Sequence, residues 1–124
     1  MAALTAVLDA CALVIARIED KSSTTARLSF ANARHEVVDL CSVFRLEPTF
    51  PAVDRLPALE QERLEIFLAA EGVRLRTNEA SVGKLRALRA MYEPYVNALS
   101  RFLLMPLPDW MPPERESESW HVIA

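Results

Sequence analysis

His35 and Asp39 stand four residues apart in ARHEVVDL, a spacing that places them on one face of a helix. A histidine beside a carboxylate is a pair that can move a proton at neutral pH. No serine or cysteine nucleophile is placed beside it by spacing, so a polar contact at a helix–helix seam is favoured over catalysis. The sequence has no Gly-rich phosphate loop, no nucleophile elbow and no His/Cys set with metal-ligand spacing. An enzyme centred on His35 and Asp39 is therefore the least supported class of function, and no cofactor or metal is implied. Cys11 and Cys41 fall on apolar stripes and read as small buried hydrophobes. A disulfide between the first two helices is geometrically allowed but disfavoured in an intracellular-looking chain.

Charge and aromatics give two further constellations. Arg74, Arg76, Lys84, Arg86 and Arg89 stand with a single acid, Glu79, in an otherwise acidic protein of net charge −3. They can contact anionic lipid headgroups or an acidic partner. The favoured alternative is a solvated face paired with glutamates of the third helix. The overall charge argues against nucleic acid as a partner. Tyr92 and Tyr95 flank Glu93 and Pro94, and their spacing puts both on one side of a helix. A tyrosine buries a large ring while its hydroxyl seeks a partner, which suits a core edge or an interface.

The elements that must position these groups are helical. Two glycines against eight prolines leave too few tight-turn residues for a β-rich domain of 124 residues. Ala, Leu, Arg and Glu dominate, and all favour helix. The expected fold is all-α: a four-helix, mostly antiparallel bundle over residues 1–111 with a proline-rich C-terminal strap, then a mobile acidic tail over 112–124. Helix one is expected from Ala2 to Asp20, with an apolar stripe of Leu4, Val7, Leu8, Cys11, Val14, Ile15 and Ile18. Beside it runs a small-residue row, Ala2, Ala6 and Ala10. Helix two is capped by Ser22 or Ser23 and ends near Leu46, with Ala26, Phe30, Ala33, Val37, Leu40, Cys41 and Phe44 inward.

The loop from Glu47 to Leu56 carries Phe50 as a plug between helices. Helix three begins near Pro57, faces Leu59, Ile66, Phe67 and Ala70 inward, and stops at Gly72. VRLRT, from Val73 to Thr77, alternates apolar and basic residues and serves as a connector. Helix four, capped by Thr77 or Asn78, runs to about Met105. A kink or break is expected at Tyr92–Glu93, where Pro94 removes a backbone bond. Pro106 ends it, and Leu107 and Trp110 fold back on the bundle. The longest uncharged stretch of helix one falls well short of the ~20 residues needed to span a membrane. The chain is expected to be cytoplasmic.

Three segments together resemble a known family: LTAVLDACALVIARIED, ARLSFANARHEVVDL and LRAMYEPYVNALSRFLLMPLPDW. They are similar to the cytoplasmic C-terminal region of bacterial two-transmembrane potassium-channel-like proteins, the ion channels with one pore loop. The resemblance covers Leu4 to Trp110, and its specificity lies in the combination rather than in any one piece. It implies a non-catalytic assembly or gating domain at the inner face of the membrane. The implied partners are sister copies and the membrane-embedded channel portion. The pore loop with its TVGYG-like run is not in this sequence, so the chain cannot conduct ions by itself. The alternative is a stand-alone helical adaptor that binds a partner helix or peptide in a groove beside Tyr92 and Tyr95.

Overall fold

The computed structural model describes residues 1–18 and 23–111. Five helices appear among them: α1 (Ala2–Arg17), α2 (Ser23–Val43), α3 (Ala58–Ala70), α4 (Glu79–Ala90) and α5 (Glu93–Leu103). No strand is found among the described residues. A single antiparallel bridge joins Ile18 to Leu75, so the connector after α3 runs beside the end of α1. The class is all-α, as expected. The expected tail and Ser22 lie outside the described residues.

The long fourth helix of the sequence reading is two helices. Pro94 has no N–H and its ring would clash with the carbonyl four residues back. The chain leaves the helix at Met91 and Tyr92, where their amides bond to carbonyls three residues back, and restarts with Pro94 in the first turn of α5. That is a position where the missing N–H costs nothing. Asn78 caps α4: its side-chain oxygen accepts the Ser81 amide at 2.9 Å. Leu104 ends α5 in the left-handed region, and the Met105 amide closes on the Ser100 carbonyl. Gly72, at φ +82°, terminates α3 as its sequence position predicts.

Packing centres on α1, which lies along α2 and α4, while α2 also lies along α5. The core holds Leu8, Ala12, Ile15, Phe30, Val37, Leu56, Leu85, Tyr92, Val96 and Leu99. The buried face of α1 is rotated from the expected stripe. Thr5, Leu8, Asp9, Ala12, Ile15, Ala16 and Arg17 are inside, while Val7 is exposed. Two causes act together: Ala12 and Ala16 let neighbouring helices approach, and Asp9 and Arg17 find ion partners inward.

Three expectations for packing are corrected. Phe50 plugs no gap; its ring is 70% exposed. In α3, Leu59, Ile66, Phe67 and Ala70 face outward, and Leu64 is the residue buried. The apolar residues of α3 lie on two faces, and the one that docks is the Leu64–Leu68 pair, four residues apart. Phe44 and Phe102 touch each other, ring centroids 5.0 Å apart, at an exposed end of the bundle. Leu107, Trp110 and Met111, beyond α5, pack against the core as partly buried residues.

Candidate functional site

The densest chemistry in the molecule is a buried charge cluster that joins α1, the loop before α3, and the α4–α5 corner. Arg55 sits at its centre. Its Nη2 donates to Asp9 Oδ2 at 2.6 Å and to the Pro108 carbonyl at 2.8 Å. Its Nη1 donates to Glu93 Oε1 at 2.7 Å and to Asp9 Oδ1 at 3.2 Å. Such a two-pronged grip on one carboxylate uses the fixed fork of guanidinium. The Tyr92 hydroxyl donates to Asp9 Oδ1 at 2.6 Å from a fully buried ring. Arg89 extends the cluster outward, donating to Asp54 Oδ1 at 2.6 Å and to Glu93 Oε1 at 3.4 Å.

Local sequence explains how these groups meet. The α4–α5 break turns Tyr92 and Glu93 inward together, because the residues straddle the point where helical register restarts. Asp54 accepts the Leu56 amide in a short turn at 2.9 Å, which holds Arg55 between two fixed residues. Thr49 donates its amide to the Pro94 carbonyl, and Asn97 donates to the Thr49 carbonyl, pinning the start of the loop to α5. Trp110 covers the cluster, with its ring 6.0 Å from the Arg55 guanidinium carbon and 5.7 Å from that of Arg89.

The electrostatics follow from burial. Burial pushes the Glu93 carboxyl above the ordinary glutamate range, against the pull of Arg55 and Arg89. Burial, reinforced by the charge on Asp9, raises the Tyr92 phenol far above its usual value. Burial would raise Asp54 too, but the Arg89 bond and the Leu56 amide outweigh it, and the carboxyl lies below its usual value. Burial opposes the charge on Arg55, and its bonds to Asp9 and Glu93 overcome that and raise its pKa. Three atoms of the cluster are buried without a hydrogen-bond partner among the described residues: Arg55 Nε, Glu93 Oε2 and Trp110 Nε1.

A second buried cation stands at the other end of α1. Arg17 is 1% exposed, donates to Glu65 Oε1 at 2.6 Å and to the Arg76 carbonyl at 2.9 Å, and so ties α3 and its following connector to α1.

The residues singled out from the sequence are dispersed. His35 and Asp39 do pair at 3.1 Å, but both side chains are largely in solvent, at 73% and 59% exposure, and no helix–helix seam encloses them. Tyr92 belongs to the core and to the charge cluster. Tyr95 is half-buried under the Arg34 guanidinium, 5.7 Å from its ring centre. A peptide groove that uses the Tyr92 ring is thus excluded by its burial. Of the five basic residues, Arg74, Arg76, Lys84 and Arg86 are exposed, whereas Arg89 turns inward to Asp54 and Glu93. Among the described residues the α3 glutamates pair elsewhere: Glu65 with Arg17, and Glu60 with Arg63 on its own helix.

Asp9, Arg17 and Arg55 carry the electrostatics and were not singled out by sequence reasoning. Their signal was present: Asp9 and Arg17 are charges at core-compatible positions of an alanine-rich helix. Both cysteines are free thiols, Cys41 buried and Cys11 half-buried, and burial raises the pKa of each. Among the described residues no group of His, Cys, Asp and Glu is arranged to hold a metal ion. No helix of the described residues is long and apolar enough to cross a membrane. No protein-family model matches the chain, and no curated protein or solved structure does so either.

Proposed function

We propose that this chain is a non-catalytic assembly or gating domain of a potassium-channel-like membrane protein, acting at the cytoplasmic face of the membrane. The observation that supports the reading is the apolar end of the bundle. Val43 ends α2 and Phe44 follows it, while Phe102 and Leu103 end α5 and Leu104 and Met105 lead out of it. All six are exposed, Leu104 by 89%, and the Phe44–Phe102 ring contact joins the two groups into one patch. Contiguous apolar surface of this kind is characteristic of association sites. The resemblance of Leu4–Trp110 to channel C-terminal regions gives the patch its partner: sister copies around a pore axis, or the pore-bearing portion itself.

The finer architecture belongs to the same proposal. α1, α2 and the α4–α5 pair act as an antiparallel bundle, with residues 106–111 as its strap. Arg74, Arg76, Lys84 and Arg86 would face anionic headgroups, leaving Arg89 to the interior. Association is tested by light-scattering mass from micromolar to millimolar protein, with Phe102→Asp/Leu104→Asp as the control. The expected result is a concentration-dependent oligomer that the double variant abolishes without loss of helicity. A wild-type chain that stays monomeric throughout that range would remove the assembly reading.

A further inference from the structure

Two apolar faces of this chain lie uncovered among the described residues, and they carry opposite charge. We propose that they are the two halves of one contact: the apolar end of α2 and α5 docks on the outer face of α3 of a second copy. This inference rests on the assembly reading and names the surface that the end patch meets.

Helical spacing puts Leu59, Ile66 and Ala70 in one row on α3, on the side away from Leu64 and Leu68. The row is exposed, Leu59 and Ile66 each by 69%, and the exposed ring of Phe67 widens it. Acids border it. Glu62 and Glu71 are exposed and form no ion pair among the described residues. Arg63, the one cation of this helix, is bound to Glu60, and Glu65 is taken by Arg17. The outer face of α3 is thus apolar with an acidic border.

The end patch has the reverse charge. Arg45 follows Phe44 and Arg101 precedes Phe102. Both cations are exposed and form no ion pair among the described residues, and the one acid beside them in sequence is Glu47. Leu104 stands there in the left-handed region that usually takes glycine, with its side chain held out in solvent. Burial against another chain recovers what that exposure costs.

Charge decides between the ways of pairing. Patch against patch would gather the Arg45 and Arg101 side chains of two copies, and α3 against α3 would gather Glu62 and Glu71. Like charges brought together across a contact oppose it. Patch against α3 sets cations on acids and covers both apolar faces at once. The two faces stand on different elements: α2 and α5 pack together, whereas α3 makes only slight contact with the other helices. Each copy therefore offers one face to one neighbour and the second face to another. Such a head-to-tail contact closes into a ring when the rotation per copy allows, the arrangement of subunits around a pore axis.

The test is complementation between two monomeric variants of the full chain, read as light-scattering mass. Phe102→Asp/Leu104→Asp spoils the patch and keeps the α3 face. Leu59→Asp/Ile66→Asp spoils the α3 face and keeps the patch, and its helicity should match the wild type because both side chains are exposed. Each variant alone should stay monomeric, and an equimolar mixture should form a one-to-one dimer through the single intact contact. Glu62→Arg/Glu71→Arg removes no apolar surface and should weaken self-association about tenfold at low salt. This charge variant decides the matter if the aspartates cost helicity. A folded Leu59→Asp/Ile66→Asp chain that associates as the wild type does would overturn this contact and leave the assembly reading in place. So would a mixture of folded variants that stays monomeric, or a charge reversal without effect. A wild-type chain that is monomeric at every concentration removes the assembly reading and this contact together.

Discussion

The α4–α5 corner and α3 are attached to the same core by opposite means. At the corner, α1, the loop before α3 and the segment after α5 converge on Arg55, with two carboxylates and the Tyr92 hydroxyl bonded inside the protein. α3 makes only slight contact with the other helices; it is held by Leu64, by part-buried Leu68, and by the Glu65–Arg17 pair. The corner is specified by hydrogen-bond geometry, which tolerates little change. α3 is specified by a few contacts and presents Leu59, Ile66 and Phe67 to solvent. Buried polar clusters of this sort fix one arrangement of a core more than they add to its stability, because desolvation offsets much of the Coulomb gain. The comparison predicts a rigid end and a compliant end, and native-state hydrogen exchange should rank α1 and α5 amides well above those of α3.

The most damaging way to break the corner is to remove its cation. Arg55→Met leaves Asp9 and Glu93 buried without their partner and should cost ~3–5 kcal/mol by urea denaturation at neutral pH. The loss should shrink in mild acid, where protonation relieves the stranded carboxylates. A loss that is equal at both pH values would mean that packing, and not charge, is what Arg55 supplies. Trp110→Ala follows. A fully buried ring would be worth ~3–5 kcal/mol. This ring is half-buried over two guanidiniums, so a loss of about 2 kcal/mol is expected from partial burial and cation–π contact together. Tyr92→Phe deletes one hydrogen bond to a charged acceptor and should cost ~1.5–3 kcal/mol.

Glu93 gives the corner a signature in pH. Its carboxyl titrates above the unfolded glutamate value, so between those two pKa values the folded state holds more protons than the unfolded state. Stability contributed by Glu93 must therefore fall as pH rises above the unfolded value of 4.5. Asp54 works in the opposite sense: its contribution is present above 3.8 and lost as pH falls through the lowered value. Stability measured from pH 4.5 upward should decline more steeply in the wild type than in Glu93→Gln, which has no charge to bury. Parallel curves would show that Glu93 is ionised in the folded state throughout that window.

Much of the fold was legible because helix signals are local. Pro94 announced the α4–α5 break, Asn78 the cap of α4 and Gly72 the end of α3, each through the backbone chemistry of one residue. Burial was less legible, because it depends on which of two apolar faces finds a partner. In α3 both Leu59–Ile66 and Leu64–Leu68 make helical rows, and nothing within the helix chooses between them. In α1 the choice was made by Asp9, whose partner Arg55 lies 46 residues away. A charged residue on an apolar stripe reads as a flaw in the stripe until its partner is known. The His35–Asp39 pair shows the reverse case: the spacing foretold the contact, but only the surroundings reveal that it sits in solvent.

The smallest expected effect is at that pair. Exposed ion pairs one helical turn apart contribute ~0.3–0.5 kcal/mol, and screening reduces this further. His35→Ala should change stability by no more than that. A larger loss of stability would place His35 at a contact between copies, where the pair would be shielded from solvent. In that case the loss should grow with protein concentration, and the monomeric Phe102→Asp/Leu104→Asp background should abolish it.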